Sequence, residues 1–195
     1  GAPGPPCGLV NLCLSATRVA VSRHHLEKLR SLYKGGTLDE ARFLADAFCV
    51  LTRVMALQGG TPRAGGMQAA CGPAVFDVLR AEMGVELEVF ASPLNARFSR
   101  FCSAAADVDA CFGSLGSFYA PALDERLASG AYLANPPYDA SSVSAATGRI
   151  ERLLAKAELE KRPLSFVVVV PHWPDKPCWR ALTQSARVAA VLRLP

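Results

Sequence analysis

Asn135, Pro136, Pro137 and Tyr138 stand in a row behind the apolar run Ala131–Ala134. These residue types, in this order, can hold an exocyclic aromatic amine. The N6 amine of adenine is a poor nucleophile because its lone pair is delocalised into the ring. Two acceptors that take its two N–H bonds favour pyramidalisation and aim the lone pair at an electrophile. Asn135 Oδ1 can be one acceptor and the Pro136 carbonyl the other. The prolines stiffen this backbone, since each fixes φ and lacks an N–H. Tyr138 can stack on the flat face of a base, worth about 1–3 kcal/mol. No side chain has to titrate, because the product proton can leave to water. The same four residues also make an ordinary Pro-Pro turn after a strand, and the tetrad alone does not separate the two.

A second candidate turn is Ala91, Ser92, Pro93, Leu94 and Asn95. It has no G-x-G-x-x-G pattern, but Ala91 and Ser92 are small enough to let a cofactor reach the backbone. Asn95, or the start of a following helix, can contact the amino-acid end of a bound nucleoside. The alternative is a plain strand-to-helix turn with Asn95 as N-cap. Asp107 and Asp109 can accept from ribose hydroxyls, as an acidic residue does in dinucleotide folds, or they are two solvated loop carboxylates. Residues 112–118, "FGSLGSF", can bend around a cofactor or serve as a flexible connection.

The elements that must position these groups follow from periodicity. A short strand pair fits residues 9–22, and a helix fits 22–36 with Ser22 as N-cap and Gly35 as stop. Leu44, Phe48, Leu51 and Met55 recur at helical spacing within 38–60. Residues 61–72 read as a loop. Helices are expected over 73–83, closed by Gly84, and over 96–105, 148–161 and 178–185. Strands are expected over 85–90, 131–134, 164–170 and 187–194. "LSFVVVV" has the β-branched character of a central parallel strand. Strands alternating with helices predict a parallel α/β sheet, with ligands at the carboxyl ends of its strands.

The chain has 195 residues, 51% of them hydrophobic and 19% charged, which suits a globular protein with a real core. Net charge is +4, permitting an anionic partner without requiring one. Seven cysteines with no C-x-x-C spacing read as reduced thiols of an intracellular protein. No His/Cys cluster has zinc-site spacing, so no metal is expected. "GAPGPPCG" at the start lacks the n- and h-regions of a signal peptide. No apolar run approaches the ~20 residues of a membrane span.

"ELEVFASPLNARFSRFCSAAADVDACFGS", "GAYLANPPYD" and "RPLSFVVVVPHW", in this order and spacing, closely resemble the phosphorylated-CTD-interacting-factor family. "FLADAFCVLTRVMALQGG" resembles that family's helical segment before its catalytic domain. The resemblance covers roughly residues 40–195. It implies a Rossmann-like S-adenosylmethionine-dependent methyltransferase sheet with an N-terminal helical appendage. It divides the chain into an N-terminal extension, partly disordered (1–21), a helical segment (22–72) and a methyltransferase domain expected to be C-terminally truncated (73–195). It implies adenosine N6-methylation of capped RNA, next to the cap on a 2′-O-methyladenosine. Asn135, Pro136, Pro137 and Tyr138 would be catalytic, with Ala91 to Asn95, Asp107 and Asp109 binding S-adenosylmethionine. A nuclear location is implied as well, and RNA polymerase II C-terminal domain contact through regions outside this chain. Two departures stand out. Where the family carries glutamates after the tetrad, this chain has Asp139, Ala140, Ser141 and Ser142, and His172 replaces an acid in its "PEW" turn. A DNA adenine N6-methyltransferase and a non-catalytic RNA- or partner-binding relative are the alternatives. Arg97, Arg100, Lys161, Arg162 and Arg180 are the cations at hand for RNA phosphates.

Overall fold

The computed structural model describes residues 8–34, 39–57 and 71–193. They fall into two compact units. One takes the described residues of Gly1–Gly65 with Ala91–Phe118, the other those of Gly66–Phe90 with Tyr119–Pro195.

The first unit begins with an antiparallel hairpin, β1 (Leu9–Leu14) and β2 (Thr17–Ser22), in register from Leu9↔Ser22 to Leu14↔Thr17. This is the strand pair read from the sequence. Val19 and Val21 alternate onto one buried face with Leu12. Ser22 then ends β2 and caps α1 (Arg23–Leu32), its hydroxyl accepting the His25 N–H at 3.1 Å. Helix α2 (Glu40–Leu57) buries Phe43, Ala47, Phe48, Val50 and Leu51. These join Leu12, Val19, Val21, Leu29 and Phe112 in one core. Tyr33 contacts the rings of Phe43 and Phe112 and donates its hydroxyl to Asp46 at 2.7 Å. Gly35, Leu38 and residues 61–70 of the loop expected over 61–72 lie outside the described residues.

The helix expected over 96–105 is not there: this stretch is a run of turns and bends. Phe98, Phe101, Cys102 and Ala105 are buried at a spacing that imitates a helix. Their backbone groups have found distant partners instead. Ala91 N–H donates to the Cys102 carbonyl, Ser103 N–H to Gly116 and Leu115 N–H to Phe101. Phe101 and Ser114 form a parallel bridge, so the Gly/Ser-rich segment is pinned along 101–103. A four-residue α-turn, α4 (Ala106–Asp109), comes after the bends.

In the second unit, α3 (Pro73–Met83) has Pro73 at its first turn and ends at Gly84, whose φ of 64° is the left-handed cap glycine accepts at low cost. The sheet is fully parallel, in the order β3 (Val85–Glu88), β4 (Gly130–Ala134), β5 (Leu164–Val168). The strands expected at 85–90, 131–134 and 164–170 thus lie side by side. Valine-rich β5 is an edge strand among the described residues, half-buried for most of its length, and β4 is central. A β-branched run suits either place, and only its neighbours decide which. Tyr132, Leu133 and Ala134 of β4 are buried. Gly130 is required where β4 starts: its φ is 123°, and a Cβ would meet the Tyr132 hydroxyl at 3.0 Å.

Helix α5 (Ala140–Leu159) makes the β4–β5 crossover and starts eight residues before the expected 148. Ser141, Ser142, Ser144 and Gly148 mask it, being poor helix formers. Its buried face is nevertheless regular, through Val143, Ala146, Ile150, Leu153 and Ala157. Helix α6 (Pro177–Thr183) packs against α5. The strand expected over 187–194 is absent among the described residues to 193. Arg187 there binds Glu151 and Glu158 of α5 at 3.0 and 2.9 Å, while Val191 and Leu192 stay exposed. No helix among the described residues is long and apolar enough to cross a membrane.

Candidate functional site

The tetrad leaves the carboxyl end of the central strand. Ala134, the last residue of β4, accepts the Val169 N–H at 2.9 Å, and Asn135 comes next in the chain. Pro136 is fully buried, while Asn135, Pro137 and Tyr138 are half-buried. Pro136 therefore faces inward, and its neighbours keep part of their surface exposed. Asn135 Oδ1 is a buried acceptor without a hydrogen-bond partner among the described residues. Asn135 as a residue is nonetheless engaged by its surroundings. The Pro137 carbonyl is taken by the Asp139 N–H at 2.9 Å. The Pro136 carbonyl enters no backbone–backbone hydrogen bond among the described residues. Asn135 Oδ1 and the Pro136 carbonyl are the two acceptors that the clamp reading of the sequence names.

Asp139, directly behind the tetrad, has a role that sequence reasoning missed. It is the N-cap of α5: its Oδ1 accepts the Ser142 N–H at 2.8 Å and the Ser141 hydroxyl at 2.5 Å. These two serine bonds hold the Asp139 carboxyl down at about 2. An Asp with a serine N–H three residues later was the available signal, hidden because the helix was expected to start further along. Phe90, just past β3, meets the Tyr119 ring edge-on at 5.9 Å. Burial, then the nearby Asp139 carboxylate, raises the Tyr119 hydroxyl. Neither aromatic carried a motif of its own.

In the other unit, residues 91–95 form a self-locked turn. Asn95 Oδ1 accepts both the Ser92 N–H (2.7 Å) and the Ser92 hydroxyl (3.0 Å). The Asn95 and Ala96 N–H groups both return to the Ser92 carbonyl. Pro93 is fully buried and Asn95 is exposed. Asn95 is therefore a turn-closing residue, and the reading of it as N-cap of a helix over 96–105 falls with that helix. With Oδ1 spent inside the turn, the amide N–H₂ is the remaining polar group of the exposed Asn95 side chain.

Asp107 and Asp109 lie two apart on a helical turn, a spacing that sends side chains to different sides. Asp107 is exposed and pairs with Arg53 at 3.2 Å, which lowers its carboxyl. Asp109 is buried; desolvation raises its carboxyl, and a hydrogen bond from Ser103 opposes that shift. The two carboxylates thus have different surroundings, one exposed and paired with Arg53, the other buried and bonded by Ser103. Among the basic candidates, Arg162 is engaged by Glu125 and Glu160, and Arg180 donates to the Asp175 carbonyl. Arg97, Arg100 and Lys161 are exposed. His172 packs edge-on against Trp179 at 5.0 Å. Among the described residues no group of three or more His, Cys, Asp or Glu is placed to hold a metal ion.

The curated relatives that match this chain include two named mRNA (2′-O-methyladenosine-N(6)-)-methyltransferase. One is from Homo sapiens and one from Mus musculus, each 39% identical over 163 residues. The match covers 82% of this chain and 22% of either relative. This chain thus spans about a fifth of their length. The family model described as phosphorylated CTD interacting factor 1 WW domain matches residues 28–194. That match takes in the second half of α1, α2, the 91–95 turn, the tetrad and the parallel sheet, and the chain belongs to the phosphorylated CTD interacting factor 1 family.

Proposed function

We propose that this chain is part of an S-adenosylmethionine-dependent RNA methyltransferase that modifies adenosine N6 beside the mRNA cap, on a 2′-O-methylated nucleotide. The observation that carries the reading is the placement of Asn135-Pro136-Pro137-Tyr138 directly at the carboxyl end of the central parallel strand. That is where open α/β sheets hold their ligands. The relatives' name supports the choice of substrate. The three-stranded parallel sheet with its α5 crossover is compatible with a Rossmann-like methyltransferase fold, which we adopt for this chain.

The polar groups present fit the cofactor. The Asn95 amide is a donor suited to a carboxylate, and the exposed Asp107 carboxylate, paired on one side with Arg53, is an acceptor suited to ribose hydroxyls. Ala91 and Ser92 leave the backbone approachable. When bound, S-adenosylmethionine supplies a methyl group on a sulfonium. The chain's own work is to prepare the amine. Asn135 Oδ1 and the Pro136 carbonyl each accept one N6–H bond, which frees the lone pair from the ring. Buried Pro136 keeps the two acceptors at fixed separation. Tyr138 stacks on the base and sets its plane. The proton lost from nitrogen passes to water, so no side chain of the tetrad has to change charge.

A capped RNA partner, a nuclear location and a phosphorylated C-terminal-domain partner reached through segments outside these residues complete the proposal. The deciding assay is methyl transfer to matched capped and uncapped RNAs, with mass spectrometry of the resulting nucleosides. N6,2′-O-dimethyladenosine formed only on capped RNA is the expected product. Methylation of duplex DNA instead would point to the DNA enzyme, and no transfer to any acceptor would point to a binding relative.

A further inference from the structure

On α1, Arg23, His24, His25 and Glu27 are exposed, as the polar face of a surface helix should be. Lys28 differs. It is half-buried, and its Nζ donates to the Leu94 carbonyl at 2.8 Å, 66 residues away in sequence. Lysines normally lay their stems on the protein and keep the ammonium in water. Here the ammonium is drawn into the 91–95 turn. The turn's other backbone bonds are local or run to Cys102. The Leu94 carbonyl is held from outside, by α1. Just past the end of the same helix the chain is held a second time, through the Lys34 N–H to the Cys111 carbonyl at 2.7 Å. The Leu94 side chain and Cys111 both pack on the core to which α1 contributes Leu29.

A charged donor on a partly buried carbonyl is among the stronger protein hydrogen bonds. Losing it leaves that carbonyl to find water and releases the outer side of the turn. We propose that Lys28 is a positioning residue of the cofactor site, setting through Leu94 the backbone that receives the amino-acid end of S-adenosylmethionine. The N-terminal hairpin and helices are then a working part of the methyltransferase. This rests on the reading of residues 91–95 as the cofactor turn.

The test uses full-length protein with S-adenosylhomocysteine as the calorimetric probe, alongside steady-state kinetics in both substrates. Lys28→Met keeps the stem and removes the donor, Lys28→Arg restores a charged donor, and Glu27→Gln is the control one residue away. Lys28→Met should raise the dissociation constant and the KM for S-adenosylmethionine about tenfold. The KM for RNA should stay within about twofold, and Lys28→Arg should recover most of the loss. Glu27→Gln should bind as the wild type does. A merely structural Lys28 would lower the melting temperature and leave the affinity of the folded protein unchanged, which overturns the inference while the cofactor reading stands. Lys28→Arg binding no better than Lys28→Met overturns it as well. A wild-type protein that binds no S-adenosylhomocysteine overturns both.

Discussion

Replacing Asp139 by alanine removes the cap that holds α5 directly behind the tetrad. The carboxyl lies at about 2 instead of its ordinary 3.8, because Ser142 and Ser141 donate to it. At about 1.4 kcal/mol per tenfold change, that displacement sets a ceiling of about 2.5 kcal/mol. Asp139 is partly open to solvent, which screens it. The expected loss is therefore about 1 kcal/mol, the usual value of an N-cap. In a domain of this size that is about 2–4 °C of melting temperature. The depressed value fixes the sign with pH. The cap's charge contribution is full above the unfolded carboxyl's 3.8 and is lost as pH falls through about 2. Thermal melts of wild type and Asp139→Ala should thus differ by a constant gap at neutral pH that narrows below about pH 4. Asp139→Asn keeps the acceptor oxygen, since asparagine caps as well as aspartate, and should retain most of the stability without the pH-dependent part. Equal destabilisation by Asn and Ala, or a gap unchanged from neutral pH down to about 2, would refute the argument.

Asn135→Ala should cut turnover about 10²–10³-fold in the methyl-transfer assay. Cofactor affinity should hardly change, because Oδ1 serves the amine and not the cofactor. Tyr138→Ala should weaken RNA binding as well as turnover, measured by fluorescence anisotropy and kinetics, whereas Tyr138→Phe keeps the stacking face and should be tolerated. Arg149 of α5 is 6% exposed and pairs with Asp124, which is 34% exposed. Asp124→Ala, which removes the carboxylate from a buried guanidinium, should cost about 3 kcal/mol in denaturant unfolding. Arg149→Met should cost less, because water can reach Asp124.

The tetrad, the 91–95 turn and the three parallel strands were legible in sequence because local chemistry defines them. A proline pair cannot continue a ladder, a β-branched run favours an extended backbone, and Ser22 and Gly84 announce helix ends. Three features were decided only by the tertiary structure. Residues 96–105 have a helix's apolar spacing, yet Phe101, Cys102 and Ser103 exchange backbone hydrogen bonds with Leu115, Ala91 and Gly116, and distant partners overrode periodicity. Helix α5 starts at Ala140 although serines and Gly148 weaken its first turns, because its apolar stripe is buried and Asp139 caps it. Asp107 and Asp109 look equivalent in sequence and become an exposed partner of Arg53 and a buried acceptor, since a helical turn sends them to different surroundings. Residue types by themselves suggested an amine clamp in the tetrad. Its burial, with Pro136 inside and Asn135, Pro137 and Tyr138 half-buried, arises only on folding.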